Sequence, residues 1–527
     1  MYDMRINHNI SALKANNQLS KTNKQLDASL EKLSSGYRIN SAADDAAGLA
    51  ISEKMRTQIS GLDQASRNAS DGISVIQTAE GALVEVEAML QRMRELSVQS
   101  SNGTYTTDDR VAIQAEIDEL NQEITRISET TEFNTMTLLD GNIDRKSYSS
   151  DNSVSLISLS DTVAVGDYSI TITQDARQAV LIGNVIPDLG SKDGVDYTTA
   201  TRKITDTEIG SISINGESVT IGKGDTLDEV FEKIRDVCDN VNINVFATAA
   251  GSTPEIDDKL DMAGYTSKQL NEGDTLAFVS RDYGSKEKID IYCDSPGLCS
   301  LLGLTISGAT ATGIDAKADI ISNKDSIFEK TATVSVSGNK VTVSDRNDFK
   351  MVFEVEPGTV ETVFTDAKIT SSTDVPDKST LTGGADQTIT VSVLDAGPMD
   401  LQIGANEGQT MAVRIPKVTP KTLGIDKINI GTADGAQEAI GLIDNAIKEV
   451  SAIRSKLGAY QNRLEHSISN IDVSSENMTE SLSRISDVDM AEEMAEYTQK
   501  NVLAQAGTSM LAQANQRPQN ILSLLQG

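Results

Sequence analysis

Two histidines, His8 and His466, are the only imidazoles among 527 residues, and they stand near opposite ends of the chain. A helical zinc protease needs two histidines four residues apart around a glutamate, and no HExxH occurs. A Ser-His-Asp triad would have to recruit one of these two, and nothing beside either one argues for it. Both read as solvated or interface residues inside helical patterns. The stretch 216–224 (GESVTIGKG) carries the glycines and lysine of a phosphate loop at the wrong spacing: five residues separate Gly216 from Gly222, and Gly224 stands where Ser or Thr would hold magnesium. The adjacent acids Asp44-Asp45 and Glu492-Glu493 point to different sides of a helix, which suits a solvated face or a first turn and not an acid/base pair. The three thiols, Cys238, Cys293 and Cys299, lack CxxC spacing and read as neither a disulfide framework nor a zinc site. No catalytic, cofactor-binding or metal-binding set is expected.

The elements around these residues point elsewhere. With 78 acidic against 46 basic side chains the net charge is -32, which argues against a nucleic-acid partner and against anionic membrane surfaces. The length predicts several domains. The first ten residues (MYDMRINHNI) hold no apolar core of signal-peptide length, and no stretch approaches the ~20 apolar residues of a membrane helix. Taken alone, that places the chain in the cytoplasm. Proline is absent before Pro187 and again between Pro420 and Pro518. Since long helices tolerate no interior proline, both ends read as helical and the centre does not.

Apolar residues recur at steps of four and three through Met55, Ile59, Leu62, Ala69, Ile73, Ile76, Leu83, Val86, Leu90 and Met93, which is a helix-packing seam. After a polar break at 100–109 the pattern resumes with Ile113, Ile117, Leu120, Ile124 and Ile127, so two helices in a hairpin are expected. The other end mirrors this with Ile440, Ile443, Ile447, Val450, Leu457, Leu464, Ile468 and Ile471, while Arg454 and Gln461 fill two slots of the repeat. Seams of this length are coiled-coil-like and imply that the distant chain ends pack together. Outside them lie shorter amphipathic segments. One is marked by Ile6, Ile10, Leu13, Leu19, Leu26, Leu30 and Leu33, the other by Met478, Leu482, Ile485, Met494, Val502, Ala506 and Met510. The final apolar cluster, Ile521, Leu522, Leu524 and Leu525, cannot be hidden by one helix alone.

The centre switches to β-branched alternation. Residues 211–221 (SISINGESVTI) read as two strands around an Asn215-Gly216 turn. A helix follows, with a capping box from Thr226 to Glu229 and an apolar face of Leu227, Val230, Phe231, Ile234, Val237 and Cys238. Cys238 thereby reads as a small core hydrophobe. Further strands are expected near 242–248, 275–280, 289–293, 331–337, 340–344 and 388–393. The fold class is α+β and multidomain: long coiled-coil-like helices from both chain ends, with a β-rich middle inserted between them.

Three stretches carry a resemblance to bacterial flagellins. They are 33–52 (LSSGYRINSAADDAAGLAIS); 90–99 (LQRMRELSVQ) with 114–117 (QAEI); and the C-terminal third, with 401–411 (LQIGANEGQTM), 457–464 (LGAYQNRL), 486–493 (SDVDMAEE) and 514–527 (ANQRPQNILSLLQG). Tyr37 stands where flagellins commonly carry Leu. The Ile214-Asn215-Gly216 strand pair with its helix resembles a small β-rich repeat of some flagellins and hook-associated proteins.

The resemblance implies five segments: an N-terminal inner-tube helix (1–45), an N-terminal outer-shaft hairpin (46–141), a surface-exposed β-rich insert of one or two domains (142–398), a C-terminal outer-shaft strand and long helix (399–480), and a C-terminal inner-tube helix (481–527). It implies a structural protein and not an enzyme, a filament subunit serving motility that is exported unfolded and added at the filament tip. The location becomes extracellular, which overrides the cytoplasmic reading. The implied partners are further copies of the chain in a helical homopolymer, a flagellin export chaperone, the type III export apparatus, and the filament cap and hook-filament junction proteins. Polymerisation would fall to the terminal apolar residues Ile6, Ile10, Leu13, Leu26, Leu30, Leu33, Leu503, Met510, Ile521, Leu522, Leu524 and Leu525. Gln91, Arg92, Leu96, Gln99 and Glu116 match the flagellin surface recognised by the animal toll-like receptor for flagellin. Three alternatives are a hook-filament junction protein, a filament with an enzymatic insert and an adhesive or glycan-bearing one. The QNILSLLQG ending and the absence of HExxH argue against the first two.

Overall fold

A computed structural model describes residues 9–160, 162–186, 191–192, 195–196, 202–248, 275–304, 308–321, 327–329, 331–346, 349–357, 359 and 387–526. Its helices are α1 (Ile10–Ser35), α2 (Ala46–Ser100), α3 (Thr107–Thr130), α4 (Leu227–Asn240), α5 (Pro296–Leu301), α6 (Pro420–Leu423), α7 (Ala433–Ser486) and α8 (Met490–Gln526). Antiparallel strands fill the middle. Long helices from both ends around a β-rich centre are what the seams implied. The chain divides into two compact units, one comprising 1–74, 400–411 and 461–527, the other 75–399 and 412–460. Both α2 and α7 contribute to each.

In the first unit α1 and α8 lie side by side. Gly36 ends α1 in the left-handed region (φ 76°) and returns its N–H to the Lys32 carbonyl at 2.8 Å, a conformation that a side chain would strain. The chain then pairs with the α7–α8 link. Arg38 N donates to Ser486 O at 2.7 Å and Val488 N to Gly36 O at 3.0 Å, so the two joints between terminal helices brace each other. The joint falls at 487–489, because α7 carries its helical bonding through Ser486 and α8 begins at Met490. Asp489 then caps α8, its Oδ1 accepting from Ala491 N at 2.9 Å. The acid pairs have the same kind of use: Asp45 Oδ1 accepts from Ala47 and Gly48 N–H at the start of α2, and Glu492 and Glu493 sit in the first turn of α8, where the helix dipole favours them. The helix α8 runs through Pro518, so one backbone bond is missing there.

In the second unit the seam residues Ile76, Leu83, Val86, Leu90 and Met93 of α2, Ile117 and Ile124 of α3, and Ile443, Val450 and Leu457 of α7 are all buried. Thr106 and Asp109 form a capping box that starts α3. The inserted region has two apolar clusters. The first gathers α4, α5, a four-stranded sheet ordered Glu217–Ile221, Gly210–Ile214, Lys288–Cys293, Ala309–Thr312, and a three-stranded sheet ordered Ile243–Thr248, Thr275–Tyr283, Gln178–Val185. Its hairpin turns at Asn215 (φ 50°) and Gly216 (φ 89°), both left-handed as the sequence required. The second cluster lies among two four-stranded sheets around Tyr168, Phe328 and Phe353, with Tyr168 and Phe328 edge to face at 4.9 Å between centroids.

Cysteine is where the structure departs from the sequence reading. Cys293 and Cys299 are joined in a disulfide, with Cα atoms 6.0 Å apart. Cys293 ends a strand and Cys299 lies in α5, and the tight turn between them brings two residues of unremarkable spacing to bonding distance. Cys238 is free, fully buried on α4, and burial pushes its thiol up to about 12, so it is an inert core residue. Phe231, 1% exposed at the centre of the same cluster, carries much of its packing. Phe231→Ala should lower the stability of the inserted region by about 3–5 kcal/mol, read from urea unfolding of the full chain, with a far smaller loss expected if the cluster closed over the cavity.

Candidate assembly and recognition surfaces

The α1/α8 seam is largely polar. Thr22 and Ser29 are the buried residues of α1, Lys500 Nζ donates to Ser29 Oγ at 2.9 Å, and Lys32 lies 3.8 Å from Glu493. Leu19 packs on Gly507, where an added Cβ would lie 3.3 Å from Leu19 Cδ1. Near the start of α1, Asn9 Nδ2 donates to Ala514 O at 3.0 Å. These contacts step down α8 as they step up α1, so the two helices run antiparallel. Apolar residues of both helices lie open to solvent: Ile10, Leu13 and Leu30 on α1 and Met494, Val502, Leu503 and Met510 on α8 are each about half or more exposed. Leu26 and Leu33 are half-buried. Ile6 and the side chains of Ile521, Leu522, Leu524 and Leu525 lie outside the described residues, as does His8. His466 is exposed on α7.

Of the five residues expected on a recognition surface, Gln91, Arg92, Gln99 and Glu116 are exposed. Arg92 Nε donates to Glu116 Oε1 at 2.9 Å and its Nη1 to Glu95 Oε2 at 3.3 Å, which bridges α2 to α3 and holds the guanidinium above its ordinary pKa, Glu116 contributing most. Leu96 differs: at 2% exposed it is a core residue beneath the others. Leu96 stands three residues after buried Met93, which places it on the seam side of α2.

Sequence reasoning left two charged groups without roles. Arg454, noticed only as a polar residue in an apolar slot, hydrogen-bonds Glu87 and lies 3.6 Å from Glu80, so it clamps α7 to α2. Two glutamates one heptad apart beside the seam were the available signal. Arg110, 7% exposed, donates from Nε to Ser100 O at 3.0 Å and from Nη2 to Asn102 O at 3.4 Å, bracing the hairpin turn, and lies 3.9 Å from Glu217 of the inserted region. The ends of that region meet: Lys146 N donates to Ala396 O and Leu394 N to Lys146 O, both at 2.9 Å.

The paired terminal helices expose apolar side chains, among them Ile10, Leu13, Leu503 and Met510. The bacterial flagellin N-terminal helical region matches residues 6–144, and the bacterial flagellin C-terminal helical region matches residues 440–525. A flagellin of Clostridium tyrobutyricum is 34% identical over 516 residues, covering 98% of this chain and 100% of its own. A B-type flagellin of Pseudomonas aeruginosa is 32% identical over 531 residues, and flagellin B of Vibrio anguillarum 32% over 522, each covering 99% of both chains. The chain belongs to the bacterial flagellin family. Its role is that of a structural subunit of the flagellar filament, serving motility, and it is not an enzyme. No described helix is long and apolar enough to cross a membrane.

Arg454 generates a direct expectation. Arg454→Ala leaves Glu80 and Glu87 without their cation and should destabilise the helical core by about 1–3 kcal/mol in thermal or urea melts of the monomer. Arg454→Met, which keeps the packing stem, should lose less.

Proposed function

We propose that this subunit polymerises through the outward apolar stripes of α1 and α8, each copy covering the stripes of its neighbours. The observation that carries this is the exposure of Ile10, Leu13, Leu30, Leu503 and Met510 on two helices whose own seam is polar. Full burial of such side chains stabilises by about 1.5–3 kcal/mol each, so a helical homopolymer gains what the monomer forgoes. The terminal segments 1–45 and 481–527 form the inner tube in this reading, 46–141 and 399–480 the outer shaft, and 142–398 a surface insert of one or two domains. The subunit reaches an extracellular filament unfolded, through the flagellar type III export apparatus. An export chaperone holds its last apolar residues, and it adds at the tip among cap and hook-filament junction proteins. That part rests on family membership alone.

A second reading concerns host recognition. Exposed Gln91, Arg92, Gln99 and Glu116, supported from beneath by buried Leu96, form a polar patch across α2 and α3 suited to the animal toll-like receptor for flagellin. Arg is a favoured anchor because its planar fork loses little entropy per contact.

Two experiments test these readings. Salt-induced polymerisation followed by electron microscopy should give filaments from the full chain and also from a chain in which 142–398 is replaced by a short linker. The joined backbone at Lys146 and Leu394–Ala396 makes that excision short to close. Loss of all filaments in a deletion variant whose helical core still folds would refute assembly by the terminal helices alone. For the receptor, Arg92→Ala should weaken monomer binding at least tenfold, about 1.4 kcal/mol; unchanged affinity would refute the patch.

A further inference from the structure

We infer that Asn9 is a register lock between the two chain ends, built on the backbone bond that Pro518 cannot make; the inference rests on the assembly reading above. A helical carbonyl at position i accepts from the N–H at i+4. For Ala514 that position is Pro518, which has no N–H, so α8 leaves this carbonyl without its helical donor. Asn9 Nδ2 supplies one at 3.0 Å. The Oδ1 of the same amide accepts from Ala12 N, also at 3.0 Å, and caps α1.

One planar amide thus starts α1 and repairs α8. Both tasks together need a donor and an acceptor on one short side chain. Aspartate or serine would cap α1 equally well, but aspartate would turn an oxygen toward the Ala514 carbonyl. Because the cap fixes the amide relative to α1, and the proline fixes which carbonyl lacks its helical partner, the pair selects one position of α1 along α8. The remaining seam is more tolerant. Lys500 to Ser29 and Lys32 to Glu493 use long flexible side chains, and Leu19 meets a glycine. A slip of one turn, about 5.4 Å, would strand Ala514 and displace Ile10 and Leu13 relative to Leu503 and Met510. The lock therefore sets the pattern of apolar side chains that each copy offers to its neighbours.

The test is a double-mutant cycle on the full chain, read as the critical concentration for salt-induced polymerisation. Asn9→Asp keeps the cap and removes the donor, and should raise the critical concentration about tenfold when residue 518 is proline. Pro518→Ala restores an N–H for Ala514, and in that background Asn9→Asp should change the critical concentration by less than about threefold. The melting of the α2–α3–α7 core should be the same in all variants. Equal effects in both backgrounds, with wild-type filaments intact, would overturn the lock. A wild-type chain that formed no filaments would overturn the assembly reading and the lock with it.

Discussion

A helix with a one-sided apolar stripe cannot cover that stripe by itself, and most of this structure follows from how that constraint is met. Helices of more than fifty residues, α2 and α7, run from opposite ends of the sequence. Their buried residues Leu83, Val86, Leu90 and Met93 against Ile443, Val450 and Leu457 form a core that neither end could build alone. The chain leaves and re-enters this helical frame at adjacent backbone, Lys146 beside Ala396. A β-rich region with two apolar clusters of its own can therefore be accommodated without breaking the seam.

The terminal pair meets the constraint differently. Between α1 and α8 most contacts are polar, apart from Leu19 against Gly507, and Ile10, Leu13, Leu30, Leu503 and Met510 are exposed. In a lone subunit that arrangement wastes hydrophobic area. In the polymer proposed above it is the interface. The division of labour is physical: hydrogen bonds and ion pairs are directional and can fix the antiparallel alignment, while apolar contacts are non-directional and suit a surface that many neighbours must cover.

Charged groups at the helical seam serve fixation more than chemistry. Arg454 clamps α7 to Glu87, Arg110 braces the α2–α3 turn, and Arg92 bridges those same two helices from the exposed side. The one thiol left free among the described residues, Cys238, is buried and held protonated, and the other two are joined to each other. Reactive side chains are thus absorbed into structure, consistent with the family's structural role.

The sequence by itself determined the elements whose signal is local or periodic. The 3.6-residue seams placed α2, α3 and α7, the Asn215-Gly216 pair placed a hairpin because that turn needs two left-handed residues, and Thr226 with Glu229 placed the start of α4. Only the tertiary structure decided which face of each terminal helix meets the other, because an amphipathic stripe says that a face must be buried without saying by which partner. It alone decided that Leu96 lies beneath the patch of Arg92, that Cys293 and Cys299 come within bonding reach, and that Arg454 answers Glu87. It also joined Asn9 to Ala514, 505 positions away. Such pairings depend on the closure of long loops, and residue spacing carries no record of which closures the folded chain adopts.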